Sequence, residues 1–368
     1  MKKYAKILAA VLVLILALTA CGKTATVSSA APSSSSAASS SSAASSSSAA
    51  SSSAASSSSS AASSSSACSD ERKPSLKAGF LKGPTGMGAA YLMSQSDAAA
   101  TQCEYTFTVE SDVSNITSAL ISGGLDIAAV PTNVASVLYN KTSGKVNVVA
   151  INTLGVLYIL EKGNTIQSVS DLKGKTIYAI GQGANPQYVL EYILRQSGLT
   201  VGTDVTVEYM AADELATKAA AGGVDVCMLP VPNVTAVLAK NKDMRKALNL
   251  SDLWKDVTKG GSVLTQGCIV ARTDSVDDNA LKCFLKDYEA SIKYMTDTAN
   301  LDSAAKLAVQ YGIVASEPIA KAAIPDCSMV FISDPNEMRE ALSGYFEVLY
   351  AADKNSVGGS VPDDAFYR

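Results

Sequence analysis

The chain has 368 residues, a formal net charge of −4, no histidine and 6% aromatic residues. A mildly acidic chain lacks the basic surface that phosphate backbones require, so nucleic acid is excluded as a partner. Without histidine there is no Ser-His-Asp or Cys-His nucleophile, no imidazole switch near neutral pH and no His-bearing zinc site. The expectation is a protein that is not an enzyme, with no metal and no cofactor.

Lys2, Lys3 and Lys6 open the sequence, an apolar run from Ile7 to Leu18 follows, and Leu18-Thr19-Ala20-Cys21 ends it. The run falls short of the roughly 20 apolar residues that a bilayer span needs. Residues 1–20 therefore read as a secretory signal. The step from Leu-Thr-Ala to Cys21 resembles the bacterial lipobox, which implies acylation of Cys21 and a cell-membrane location on the extracytoplasmic face. Residues 21–72 form the next region. Within it, Ser28 to Ala67 contains only Ser and Ala apart from Pro32. Such a segment has nothing to bury, so it is expected to be a disordered tether. Its typical span would be roughly 35 Å, stretching to about 140 Å.

From Lys73 the pattern changes to short apolar strands alternating with amphipathic helices, the signature of α/β units. Strands are expected at Leu76–Lys82, Tyr105–Glu110, Leu125–Val130 and Val146–Asn152. Helices are expected at Pro84–Ser96, with Pro at its start, at Asn115–Ser122, stopped by Gly123-Gly124, and at Asn133–Asn140.

The pattern then repeats. Lys175–Gly181 echoes Lys77–Gly83, the helix Tyr188–Ser197 echoes Pro84–Ser96, and Ala221–Val226 echoes Ser122–Ile127. Pro230 and Asn233–Leu238 echo Pro131 and Asn133–Leu138. The offset holds at about 99 residues throughout, which marks a duplicated domain rather than a solenoid. The expected lobes are residues 73–155 completed by 261–368, and residues 156–260. The last part begins with a strand at Val263–Ala271. It becomes helical at Asp277–Thr298, Ser303–Tyr311 and Pro335–Ala352, wrapping back onto the first lobe. Chain crossings near Asn152–Leu160 and Lys255–Ser262 would make a hinge beside a cleft.

Cysteines stand at 21, 68, 103, 227, 268, 283 and 327, with no CxxC pair. Cys227 lies in an apolar strand pattern and reads as a buried free thiol. A Cys268–Cys327 bridge is one conceivable pairing, although connectivity cannot be read from spacing.

In open α/β sheets, ligands sit where strands end and helices begin, against unpaired helix N–H groups. Four such turns occur, two per lobe. The first lobe offers Pro84, Thr85, Gly86 and Met87, then Pro131, Thr132 and Asn133. The second offers Gln182, Gly183, Ala184 and Asn185, then Pro230 and Asn233. If both lobes face one cleft, these turns converge on it, and Thr85 and Asn185 are expected to face each other across the closed cleft as equivalents in the repeat. Equally open is the reading that Gly and Pro only cap helices and that Thr and Asn serve the caps. Asp126 and Asp225, each following Gly-Gly, read as turn or strand-edge acceptors. Ser170-Asp171-Leu172-Lys173 reads as a turn opening the second lobe. No turn carries the Gly-Lys-Ser/Thr ending of a phosphate-binding loop.

Cys21, Phe80–Gly88, Gly124–Pro131, Asp171–Ile177 and Gly223–Val226 together resemble the solute-binding lipoproteins of bacterial ABC importers. The similarity runs from about Lys73 to the C-terminus. The nearest branch is the nitrate, sulfonate, taurine and thiamine-precursor group. The resemblance implies an α/β, two-lobed type 2 periplasmic-binding-protein fold, each lobe a mixed sheet flanked by helices. It also implies a monomer that closes on a small-molecule solute and docks on an ABC permease. A further ligand contact is implied on the returning strand, at Gln266. The second-lobe turn Gly181–Asn185 departs from the hydroxyl-rich turns of sulfonate-binding relatives, which leaves the charge of the solute open. A sensor or adhesion lipoprotein, or an enzyme like the pyrimidine-precursor synthases, is the alternative on the same fold.

Overall fold

The computed structural model describes residues 73–368; the expected signal, lipobox and Ser/Ala tether lie outside the described residues. Strand β1 (Ser75–Leu81) sends Leu76, Ala78 and Phe80 into the core. A short helix, α1 (Pro84–Met87), then gives way to α2 (Ala90–Asp97). One helix was expected over 84–96, and the break has a visible cause. The Ser291 hydroxyl donates to the Gly88 carbonyl (2.6 Å) and accepts from the Leu92 amide (2.8 Å). It is thus inserted into what would be an i to i+4 helical bond.

The chain continues through β2 (Glu104–Glu110), α3 (Val113–Ser122), β3 (Ile127–Pro131), α4 (Thr132–Lys141) and β4 (Val146–Leu154). Asp112 caps α3 by accepting from Ser114 N, and Gly123 ends it at φ +80°, the left-handed position that favours glycine. After two residues comes β5 (Leu157–Lys162), then β6 (Thr176–Ala179), α5 (Asn185–Gln196), β7 (Thr206–Tyr209) and α6 (Ala212–Ala220). Next are β8 (Val226–Pro230), α7 (Asn233–Lys240), β9 (Met244–Asn249) and α8 (Leu250–Val257). The last stretch holds β10 (Thr265–Arg272), α9 (Asp278–Thr296), α10 (Leu301–Gln310), α11 (Glu317–Ala323), β11 (Met329–Ile332) and α12 (Pro335–Ala352).

Two mixed sheets result, with strand orders β11-β4-β10-β3-β1-β2 and β7-β6-β8-β5-β9. The repeat is visible in them. The parallel trio β2-β1-β3 of one sheet matches β7-β6-β8 of the other, and each is extended by an antiparallel strand, β10 or β5. Strands β5, β7, β9 and β11 and helices α6, α8 and α11 have no counterpart among the expected elements. The chain passes from the first sheet to the second at Gly155-Val156 and returns between α8 and β10. The first passage is narrower than the sequence suggested, because Leu157–Lys162 is already a strand of the second sheet, and the return lies a few residues later than expected.

Alternate residues feed opposite faces of the first sheet. Ile127, Ala129, Ile269 and Ala271 join one core with Phe284 and Tyr288 of α9. Ala128, Val130, Cys268 and Val270 join the other with Leu342 and Tyr345 of α12. The C-terminal helices therefore sandwich the first sheet. Cys268 belongs to one core and Cys327 to the other, so the conceivable Cys268–Cys327 bridge is ruled out and both are free thiols. Cys227 is buried and free, as expected. Asp126 serves the fold, its carboxylate accepting from Lys77 N at 2.8 Å. Asp171 takes the Gln167 and Ser168 amides in a capped turn. Among the described residues, no helix is long and apolar enough to cross a membrane.

Candidate binding cleft

A cavity of about 530 Å³ opens between the two sheets, within the size range of small-molecule sites. From the first lobe it is lined by Lys82, Pro84 and Thr85 after β1, by Pro131 after β3, and by Gln266 on β10. Pro230 and Asn233 bring the second lobe to it, and Val156 comes from the crossing. A further wall comes from Ile313, Val314 and Ile319, around the start of α11.

The β1–α1 turn is held from behind. Gly83 sits at φ +92°, and its amide donates to Ile313 O at 3.1 Å, while Lys82 N donates to Glu110 O at 2.9 Å. Below it, buried Asn152 donates through Nδ2 to Thr85 O (2.8 Å) and to the Tyr288 hydroxyl oxygen (2.9 Å). Gly267 lies opposite Pro131 in the ladder. A Cβ there would stand 2.7 Å from Thr85 Cγ2 and 2.8 Å from Asn152 Oδ1, so glycine is what lets β10 pass this close.

Of the residues singled out by sequence, Pro84, Thr85, Pro131, Pro230, Asn233 and Gln266 share this cavity. Gly86, Met87 and Thr132 are buried beneath it, Thr132 accepting from the Cys268 thiol at 3.5 Å. Asn133 turns to the C-terminal segment and donates to Ser356 O at 3.3 Å. The β6–α5 turn behaves differently from its equivalent in the repeat. Gln182, Gly183 and Ala184 are exposed and do not line the cavity. Asn185 donates to the Tyr345 hydroxyl of α12 at 3.1 Å, and the Tyr188 hydroxyl donates to Asp353 at 3.3 Å. Thr85 lines the cavity and Asn185 does not, its side chain being engaged by Tyr345 of α12. The Ile313–Ile319 wall had no local sequence signal. It reaches the cleft only through the tertiary fold, where Ile313 O pairs with the Gly83 amide.

Charge is sparse in the cleft, where Lys82 is the charged residue of the lining. Helices α4 and α7 start at its edge with Pro131 and Pro232 at the cap position and no side chain on their first amides. Those amides carry the partial positive charge of a helix start. The lobes meet again at an ion pair between Lys246 of β9 and Asp326, with Lys246 Nζ 4.9 Å from the Tyr158 ring centre.

A family described as "ABC transporter, phosphonate, periplasmic substrate-binding protein" matches residues 89–308, from α2 to α10. The chain belongs to this family. It is the extracytoplasmic substrate-binding component of an ABC importer, as the resemblance in its motifs implied. Solved structures of the same fold include an ABC transporter protein from Parabacteroides distasonis, at 23% identity and TM-score 0.67, covering 80% of this chain and 98% of that one. The periplasmic aliphatic sulphonate binding protein of Escherichia coli shares 19% identity at TM-score 0.60, covering 80% and 96%. The alkanesulfonate-binding protein of Xanthomonas axonopodis, bound to MOPS, shares 17% at TM-score 0.56, covering 81% and 97%. No curated protein sequence matches the chain. For a substrate-binding protein, a cavity between two sheets joined by two short crossings is the part of the molecule that can close on a solute.

Proposed function

We propose that this substrate-binding protein captures a small organic solute with an apolar body and one polar or anionic head, and presents it to the permease by closing its lobes. The observation that carries the reading is the cavity lining: mostly aliphatic and proline surface, with Lys82 and two uncapped helix starts at its edge. The head would lie at the helix starts and the body against Ile313, Val314 and Ile319. The contact residues are then Pro84, Thr85, Pro131, Pro230, Asn233 and Gln266. The moving lobes are residues 73–155 with 261–368, against residues 156–260. Phosphonate and sulfonate, named for the family and for two similar structures, supply the class of head. The protein binds without chemistry and works as a monomer. Residues 1–20 act as signal, and Cys21 carries the lipid that holds the receptor to the membrane through a tether of residues 21–72.

A thermal-shift series tests this with methyl-, butyl- and hexylphosphonate, the matching sulfonates and the matching alcohols. A ligand at 100 times its Kd stabilises the native state by about 2.7 kcal/mol, enough for a rise of several degrees. The expected order is alcohols lowest, then short anions, then long ones. No rise with any of them, or a rise that falls with chain length, would overturn the assignment of head and body. Gly267→Ala should weaken the best of these at least about tenfold in calorimetry, since the new methyl displaces Thr85. Unchanged affinity would remove Thr85 from the site.

A further inference from the structure

Two cysteines lie on facing segments behind the cleft, one leading into β2 and one on α9. Cys103 leads into β2 and is 1% exposed; Cys283 lies on α9 and is partly exposed. Cys103 Sγ lies 3.8 Å from Ala280 O, and its amide donates to Asp287 Oδ2 at 3.3 Å. Ala280, Cys283 and Asp287 fall on one stripe of α9, so Cys103 is laid across the turn that carries Cys283. Cys283 follows Ala280 by three residues and precedes Asp287 by four, so the two residues that hold the Cys103 loop flank it on the helix. The approach does not depend on sulfur. Asp287 also takes the Gln102 amide (2.8 Å) and the Tyr105 hydroxyl (2.8 Å), clamping this loop to the helix.

We infer that Cys103 and Cys283 form an oxidation-dependent disulfide that staples the start of β2 to α9. The family works outside the cytoplasm, where disulfides form and persist. With a small disulfide as oxidant, the Cys283 thiolate attacks one of its sulfurs, forms a mixed disulfide and releases one small thiol. The Cys103 thiolate then attacks the Cys283 sulfur, closes the Cys103–Cys283 bond and releases the second small thiol. Two protein thiols lose two protons and two electrons, and the small disulfide is reduced to two thiols. Burial pushes the Cys103 thiol up to about 12, so the closing step should quicken as pH rises.

The staple would brace the helix that supports the cleft. Tyr288 of α9 accepts from Asn152 beneath Thr85, and Ser291 of α9 holds Gly88 and Leu92. The remaining described cysteines, Cys227, Cys268 and Cys327, are buried.

The test uses the full chain, incubated at pH 8.5 with oxidised glutathione or with dithiothreitol, then alkylated, digested and mapped by mass spectrometry. The oxidised sample should yield one peptide pair linking Cys103 to Cys283. Its Tm should exceed that of the reduced sample by roughly 5–10 °C, the scale expected for closing a long loop. In Cys283→Ser, a change at a partly exposed position, the oxidised and reduced Tm values should coincide. Alkylation of both residues after oxidation would overturn the inference. So would Cys283 recovered only as its glutathione adduct or linked to Cys68.

Discussion

Glu161→Ala is expected to cost about 3 kcal/mol of folding stability, the scale for removing one partner of a buried ion pair. Glu161 is 2% exposed at the end of β5. Its Oε1 accepts from Thr165 N (2.7 Å), Thr165 Oγ1 (2.6 Å) and Ile166 N (3.1 Å), and its Oε2 from Arg245 Nη2 of β9 (2.7 Å). Burial alone would push this carboxyl up. The Thr165 and Ile166 donors and the Arg245 guanidinium outweigh it and hold the group at about 2. The unfolded chain therefore binds this proton more tightly than the native one. The stability it supplies is complete above about pH 5 and is lost as pH falls toward 2. Urea midpoints measured from pH 7 down to pH 3 should decline in the native protein and decline less in Glu161→Gln. Parallel acid slopes in the two proteins would show that the carboxylate does not carry the effect.

Asn152→Ala should cost about 2–4 kcal/mol, because Thr85 O and the buried Tyr288 hydroxyl lose a shared partner at once. The same change should loosen the β1–α1 turn and weaken solute binding. Urea unfolding reads the first effect and calorimetry the second. A stability loss under about 1 kcal/mol would mean that water replaces the amide. Retained affinity alongside a large stability loss would mean that Asn152 supports the fold and not the cleft.

The fold was legible where the sequence punctuates itself. Gly123 ends α3, Pro335 starts α12, and the recurrence near 99 residues announced two related sheets. Strands β5, β9 and β11 were missed for a common reason. Each pairs antiparallel with a strand distant in sequence or from the other half of the repeat, so the partner that makes it a strand is not visible in the local pattern. The site shows the limit of arguing from duplication. Equivalent positions in a repeat have equivalent backbones but different neighbours. Thr85 lines the cavity, whereas Asn185 is bonded to Tyr345 of α12, a helix with no counterpart beside the first-lobe turn. The Ile313–Ile319 wall was illegible because its role depends on contacts made across the chain, not on any pattern within it.

The exchange of strands between the halves bears on how the molecule is made. Sheet two is built entirely from residues 157–249, a contiguous stretch. Sheet one lacks its central strand until β10 emerges, and its edge until β11 does. A chain released from its N-terminus forward can therefore finish its later-starting lobe first. The lobe that starts first must keep β4 unpaired, and one edge of β3 open, until residues 265–272 arrive between them. Pairings over such sequence distances are slow to form and expose apolar strand faces meanwhile. A fragment ending at residue 260 would hold a complete second sheet and an aggregation-prone first one.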